Sequence, residues 1–369
     1  MDLRGAFDAP VETIVLAENE FGAPGGKTAN GVVTDSAVFD VRAVVDSTQA
    51  GSTVGRVLEA VSTDEASTDT TATDEPVDDE ASDVPIVDSV AAALEAAPTA
   101  SVLVIGVAPA GGELPAAWVD EIRTAIAAGC DVVSGLHTFL GDDPTWRESA
   151  DDNDVRLFDV RKPPDETELR VGDGSVDAID APVVLTTGTD CAVGKRTTAV
   201  ALYRAATRAG IDAGWVATGQ TGIMVGAHRG VVIDRVPADF AAGVVEDLVV
   251  DAAADHDLVI VEGQASLTHR AYSGVTLSIL HGAWPDAVVI ADDPERERRT
   301  HFEQFPVAGL ERDRTAIEQL SDAIVAAVST WGDPERVRAE TGLPAANVTH
   351  EHGADRLWSY VERALDDTA

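Results

Sequence analysis

The chain has 369 residues, 45% of them hydrophobic, which is enough for two ordinary domains with packed cores. Its 65 acidic residues face 26 basic ones, and the resulting net charge of −39 argues against nucleic acid and anionic membranes as partners. Two cysteines, Cys130 and Cys191, are too few for a disulfide framework or a cysteine-built zinc site. With no leader-like N-terminus and no apolar run of about 18 residues, a cytoplasmic protein without a membrane span is expected.

At about 1 M salt the Debye length is only ~3 Å, so a salt-rich, halophilic cytoplasm accounts for such a surface and the acidity says little about function. Only three of the basic residues are lysines, Lys27, Lys162 and Lys195, so each of them merits inspection.

Apolar β-rich runs alternate with helical patterns along the chain, which predicts α/β architecture with mainly parallel sheets. The first strands are expected at Thr13–Ala17, Phe39–Val45, Val102–Ile105 and Asp131–Val133, with a helix at Ala116–Ala128 ended by Gly129. This reads as a Rossmann-like domain over 1–160. No G-x-G-x-x-G follows its first strand, so no dinucleotide is expected there. Residues 62–83, mostly Asp, Glu, Ser and Thr, are expected to be a disordered acidic insertion. "FGAPGGKTANG" (21–31) imitates a phosphate loop, but Asn30 and Gly31 are expected to interrupt any helix after it; Lys27 could still reach a ligand. His137 follows another strand and reads as a structural histidine. A Pro-rich stretch, 161–182, is read as the linker.

The second domain, 183–369, is expected to run through strand Val183–Thr187, a glycine loop, helix Lys195–Arg208 and strand Gly214–Thr218. A short strand Val231–Ile233, a helix from about residue 239 to Ala253, and strands Leu258–Val261 and Ala287–Ala291 follow. Two closing helices are expected, one carrying Ile317, Leu320, Ile324 and Val328, the other Leu357, Val361 and Leu365.

The loop "GTDCAVGK" carries the chemistry. Glycines let successive N–H groups turn toward a phosphate, the following helix adds its positive end, and Lys195 adds a point charge. Gly188, Thr189, Asp190, Gly194, Lys195, Arg196, Thr197 and Thr198 are the expected ligand-binding residues, joined by Gln220 from "ATGQTGIM". The layout predicts a P-loop NTPase-like, parallel-sheet domain. Five residues separate its glycines instead of four, and Arg196 stands where Ser or Thr ordinarily holds Mg²⁺. Either Thr197 or Thr198 takes over that hydroxyl role, or no metal is held. Glu262, closing "DLVIVEG", is a second candidate: a carboxylate at the carboxyl end of a buried strand can hold Mg²⁺ or act as a base. Asp234 is a candidate base or ligand, and Asp239 a helix cap. His269, His281 and His301 have no metal-site spacing.

"GTDCAVGK" resembles the variant phosphate loop of dethiobiotin synthetases, and "VIVEGQ" resembles their strand ending in Glu-Gly. That resemblance implies ATP, Mg²⁺ and acyl-phosphate chemistry. The lysine on that family's second strand has no counterpart in "AGWVATGQTG", and Arg196 replaces the threonine after the lysine.

A resemblance covering almost the whole chain is carried by "GGKTANG", "VVDSTQAG", "VIGVAPAGGELP", "GLHTFLGD", "DVRKPP", "GTDCAVGKRTT", "ATGQTG" and "VEGQASL" in this order. Together they resemble the DgcN-like family, in which a Rossmann-like domain precedes a phosphate-loop domain and Arg196 belongs to the pattern. The resemblance implies a D-glutamate N-acetyltransferase of D-amino-acid catabolism that uses acetyl-CoA and places its ligands between the domains. Coenzyme A carries phosphates that such a cradle can hold without hydrolysis, so Mg²⁺ becomes optional. Glu262 or Asp234 would serve as base, and Lys27 or backbone N–H groups as donors to the thioester oxygen. An acidic amino-acid substrate would need basic partners, for which Lys27, Lys162, Arg161 and Arg196 are candidates. Two alternatives are an ATP- and Mg²⁺-dependent ligase or kinase and a non-catalytic nucleotide-binding protein. Homo-oligomer formation is left open.

Overall fold

In the computed structural model, residues 1–7, 10–62, 79–109, 112 and 114–367 are described. The chain divides into two compact units, Met1–Lys162 with Ile223–Gly226, and Pro163–Gly222 with Ala227–Ala369.

The first unit is built on one parallel sheet. Its strands are β1 (Val11–Leu16), β2 (Phe39–Val45), β3 (Ile86–Val87), β4 (Val102–Ile105), β5 (Asp131–Ser134) and β6 (Leu157–Asp159). Their order is β3-β2-β1-β4-β5-β6, the doubly wound arrangement in which the chain reverses between β1 and β4. All four residues of β4 are buried, as expected for a strand covered on both faces.

A helix does form at Lys27–Asp35, against the sequence expectation that Asn30 and Gly31 would interrupt one. Asn30 is satisfied inside the fold, where its Oδ1 accepts from Gly22 N at 3.0 Å. Ala29 packs against Gly106, whose carbonyl accepts Ala29 N–H at 3.0 Å. Tertiary contacts thus outweigh the ~1 kcal/mol propensity cost of a helical glycine. Of the acidic insertion expected to be disordered over 62–83, residues 63–78 lie outside those described; Ser62 instead closes helix Val54–Ser62, and Asp79–Ser82 form a helical turn.

The second unit carries a parallel sheet of β7 (Val183–Gly188), β8 (Ala213–Ala217), β9 (Arg229–Gly230), β10 (Leu258–Glu262) and β11 (Ala287–Asp292), with β14 (Ile324–Thr330) and β15 (Ala345–Ala346). Between β11 and β14 a hairpin forms from β12 (Arg298–Arg299) and β13 (Phe302–Pro306). The sheet order β15-β14-β11-β7-β10-β8-β9 puts β7 at the centre, flanked by β10 and β11. Helix Lys195–Arg208 and the C-terminal helix Gly353–Asp366 cover one face through Ala199, Leu202, Leu357 and Val361. Helices Ala238–Ala253 and Ser273–Ala283 contribute Val245, Val249, Ile279 and Leu280 to the core on the other.

In the second unit two elements differ from expectation. Ile324 and Val328 lie in β14, not on a helix; the helix carrying Ile317 and Leu320 ends at Leu320. A four-residue apolar spacing also suits a fully buried strand, and six of the seven β14 residues are buried. At 231–233 the chain makes no strand: β9 lies just before it, and Ile233–Arg235 form a 3-10 turn.

Candidate phosphate-binding site

Strand β7 delivers the glycine loop to the carboxyl edge of the sheet, and helix Lys195–Arg208 begins where the loop ends. Ala192 and Gly194 take left-handed φ values of 51° and 91° on either side of Val193. This alternation turns successive N–H groups to one side, the geometry of an anion-binding nest. Gly194 is also required sterically, since a Cβ there would stand 2.9 Å from Trp331 Nε1.

Lys195 is buried, and its ammonium donates to the Asp190 carbonyl. Burial pulls its pKa down to about 8, while Cys191, Asp190 and Glu262 act in the opposite direction. Thr189 Oγ1 donates to Asp292 at 2.8 Å, and Thr198 Oγ1 to Ser329 at 2.8 Å. Burial raises the Asp292 pKa. Thr198 is thus turned into the fold, whereas Arg196 and Thr197 are partly exposed at the helix start. Gln220 opens the helix Gln220–Val225.

Glu262 ends β10 and is 5% exposed. Its carbonyl accepts from Thr218 Oγ1 at 2.6 Å, and its carboxylate packs on Gly222, where a Cβ would fall 2.2 Å from Oε2. The expected loop, Lys195 and Glu262 therefore come together at one sheet edge. Asp234 is exposed in the 3-10 turn. Asp239 lies in the first turn of helix Ala238–Ala253, whose N-cap is Pro237, so it does not take the cap position. Lys27 is exposed at the start of its helix in the first unit. Lys162 pairs with Asp142 at 2.7 Å, and Arg161 is buried.

Sequence reasoning missed what holds the loop in place. Asp190 is fully buried: its Oδ2 accepts from Thr300 N at 2.8 Å and its Oδ1 from Arg299 at 3.4 Å, with Arg296 at 3.9 Å. Arg299, 2% exposed, also donates to the Thr189 carbonyl and, at 2.8 Å, to Thr268 Oγ1. A usable signal was present in "DDPERERRT", three arginines following a strand end in a lysine-poor acidic chain.

Asp190, Cys191 and His269 bring potential ligand atoms within 4.8 Å of one another, a cluster invisible to sequence spacing. Burial, reinforced by Arg299, lowers the His269 pKa, so the ring is neutral near pH 7. Its Nδ1 accepts from Ala271 N at 3.1 Å, which puts the ring proton on Nε2. Nε2 then has no lone pair for a metal. It faces Asp190 at 3.7 Å, too far for a hydrogen bond, and Arg296 and Arg299 supply the cationic neighbours. Asp190 and the two arginines anchor the loop.

Fold and site define a two-domain α/β protein, a Rossmann-like domain followed by a P-loop domain. Two family models of matching description cover it: a domain of unknown function described as Rossmann-like, DUF1611_N, at residues 66–163, and the P-loop domain DUF1611_C at 170–358. The chain belongs to the DUF1611 family, as its curated and structural relatives also indicate. It is 37% identical over 274 residues to a D-glutamate N-acetyltransferase of Tritonibacter scottomollicae, covering 70% of this chain and 80% of that one. It is 40% identical over 203 residues to a D-glutamate N-acetyltransferase of a Pseudoalteromonas species, covering 55% and 58% respectively. The crystal structure of a DUF1611-family protein from Anabaena variabilis superposes with a TM-score of 0.81 at 30% identity, covering 96% of this chain and 99% of that one. The resemblance to the DgcN-like family read from the sequence therefore stands. Among the described residues no helix is long and apolar enough to cross a membrane.

Proposed function

We propose that the protein transfers the acetyl group of acetyl-CoA to the amine of D-glutamate, as a step in D-amino-acid breakdown. The observation that carries this reading is the identity of 37% and 40% to two relatives named for D-glutamate N-acetylation. The loop supports it physically, because a nest with a buried lysine suits the phosphates of coenzyme A without requiring their hydrolysis. In the reaction the neutral amine attacks the thioester carbonyl, the N–C bond forms and the C–S bond breaks. The amine proton passes to a base, and coenzyme A leaves as the thiol. Glu262 is the base we favour, since it shares the sheet edge with Lys195; Asp234 is the alternative. Arg196 at the usual magnesium position agrees with a reaction that needs no metal.

The test is incubation with D-glutamate and either acetyl-CoA or ATP with Mg²⁺ at molar KCl, following free thiol and ADP. Thiol release dependent on D-glutamate is expected. ADP formation without thiol would establish the ligase or kinase reading instead, and neither product, with tight nucleotide binding, a binding protein.

Donor affinity should also depend on pH. A phosphate is met by the charged ammonium, which Lys195 retains below a pKa of about 8 and loses above it. Acetyl-CoA affinity is therefore expected to be level from about pH 7 to 8 and then to fall by up to about tenfold per pH unit. Calorimetric titration in buffers up to about pH 9.5 reads this directly. A flat profile would separate Lys195 from the donor.

A further inference from the structure

We propose that the cleft beside the phosphate loop, walled by residues 267–273, the β12–β13 hairpin and helix Leu310–Leu320, recognises a dicarboxylate substrate through Arg270 and Arg312. This rests on the D-glutamate reading and assigns the part of the second unit that would select it.

The cleft has a volume of about 900 Å³ and is lined by Arg270, Arg299 and Arg312, with Glu311 as its one acidic residue. Such a concentration of positive charge runs against a chain with 65 acidic and 26 basic residues. Arg270 and Arg312 are exposed, yet among the described residues neither is ion-paired. Two carboxylates of the same helix are engaged by Arg314, Glu318 at 2.9 Å and Glu311 at 3.9 Å. The Arg270 guanidinium instead lies 4.4 Å from the Phe305 ring centroid, which holds it against the cleft wall without neutralising it.

Arg299 ties this cleft to the chemistry. Its buried guanidinium donates on one side to Thr189 and on the other to Thr268, a cleft residue. A ligand in the cleft would therefore lie next to the loop. His269 on the same wall is neutral, so the positive charge of the cleft comes from its arginines. D-glutamate with a free nucleophilic amine carries two carboxylates, and a planar guanidinium can grip each through paired N–H groups. The Glu311 carboxylate disfavours a phosphate dianion in the cleft, and phosphate already has a cradle in the loop. The cleft, not the earlier candidates Lys162 and Arg161, becomes the recognition site.

The experiment uses Arg270→Gln, Arg312→Gln and the double variant of the full chain, with Arg363→Gln on the C-terminal helix as control. Arg270 and Arg312 are exposed, and circular dichroism in molar KCl verifies that each variant folds. Calorimetric binding of D-glutamate without donor, and KM for D-glutamate, are each expected to weaken about tenfold or more per arginine. The KM for acetyl-CoA is expected to stay within about twofold, and the control to match the unaltered chain. Unchanged D-glutamate binding in the double variant overturns the proposal, as does an unaltered chain that binds no D-glutamate at all. A raised KM for acetyl-CoA that is absent with acetyl-dephospho-CoA would also overturn it, assigning the cleft to the donor's 3′-phosphate. Intact D-glutamate binding without acetyl transfer would overturn only the acetyl-transfer reading and leave the cleft standing.

Discussion

Replacing Asp190 by alanine is expected to lower the stability of the protein by about 3–5 kcal/mol, the cost of stripping one partner from a buried ion pair. Arg299, 2% exposed, would lose its direct carboxylate partner and keep its charge in the interior, with the Thr189 carbonyl, the Thr268 hydroxyl and the nearby Asp313 carboxylate as its remaining neighbours. Thr300 N–H would lose its 2.8 Å acceptor as well. Denaturant unfolding in molar KCl measures the loss. Asp190→Asn, which keeps an acceptor for Thr300 but no charge, should lose less. Combining Asp190→Ala with Arg299→Met should recover much of the deficit, because removing both members of a buried pair costs far less than orphaning one. A single variant within about 1 kcal/mol of the parent would show that this contact does not hold the loop.

Lys195→Ala is expected to weaken donor binding by about ten- to a hundredfold, the value of a charge-assisted hydrogen bond to phosphate. The same change removes a buried ammonium whose pKa is depressed to about 8, so the fold sheds a desolvation penalty present at neutral pH. Sign and pH window follow from that shift. Below pH 8 the lysine is charged in the folded and unfolded chains alike, and its burial costs stability in full. Between about 8 and 10.5 the unfolded chain binds more of this proton than the folded one, so its contribution to stability improves as pH rises. The variant should therefore combine weaker donor binding with unchanged or improved stability near pH 7. Normal donor affinity in a folded variant would remove the loop from the site.

Strand β7, the glycine loop and helix Lys195–Arg208 were legible because each is specified locally: an apolar run, turn-forming glycines and a helical period in succession. Lys27–Asp35 was misread because propensity argued against a helix that burial and the Asn30 contacts stabilise. Ile324 and Val328 were assigned to a helix because their spacing does not separate a helix face from a strand buried on both sides. The Asp190 anchor was invisible for another reason. Asp190 and Arg299 are 109 positions apart, and no local pattern pairs one of 65 acidic residues with one of 23 arginines at that distance. The arginine cleft was hidden in the same way, since three chain segments supply its wall.

That separation also sets a timetable for biosynthesis. β7 is completed only when β10 and β11 flank it, and the loop is fastened only when Thr300 reaches Asp190, 110 residues later. At about 5–20 residues per second the ribosome needs roughly 5–20 s to supply them. During that interval a nascent chain already carries the whole "GTDCAVGK" segment but lacks the contacts that fasten it, so the loop takes its final shape only after the hairpin has been synthesised.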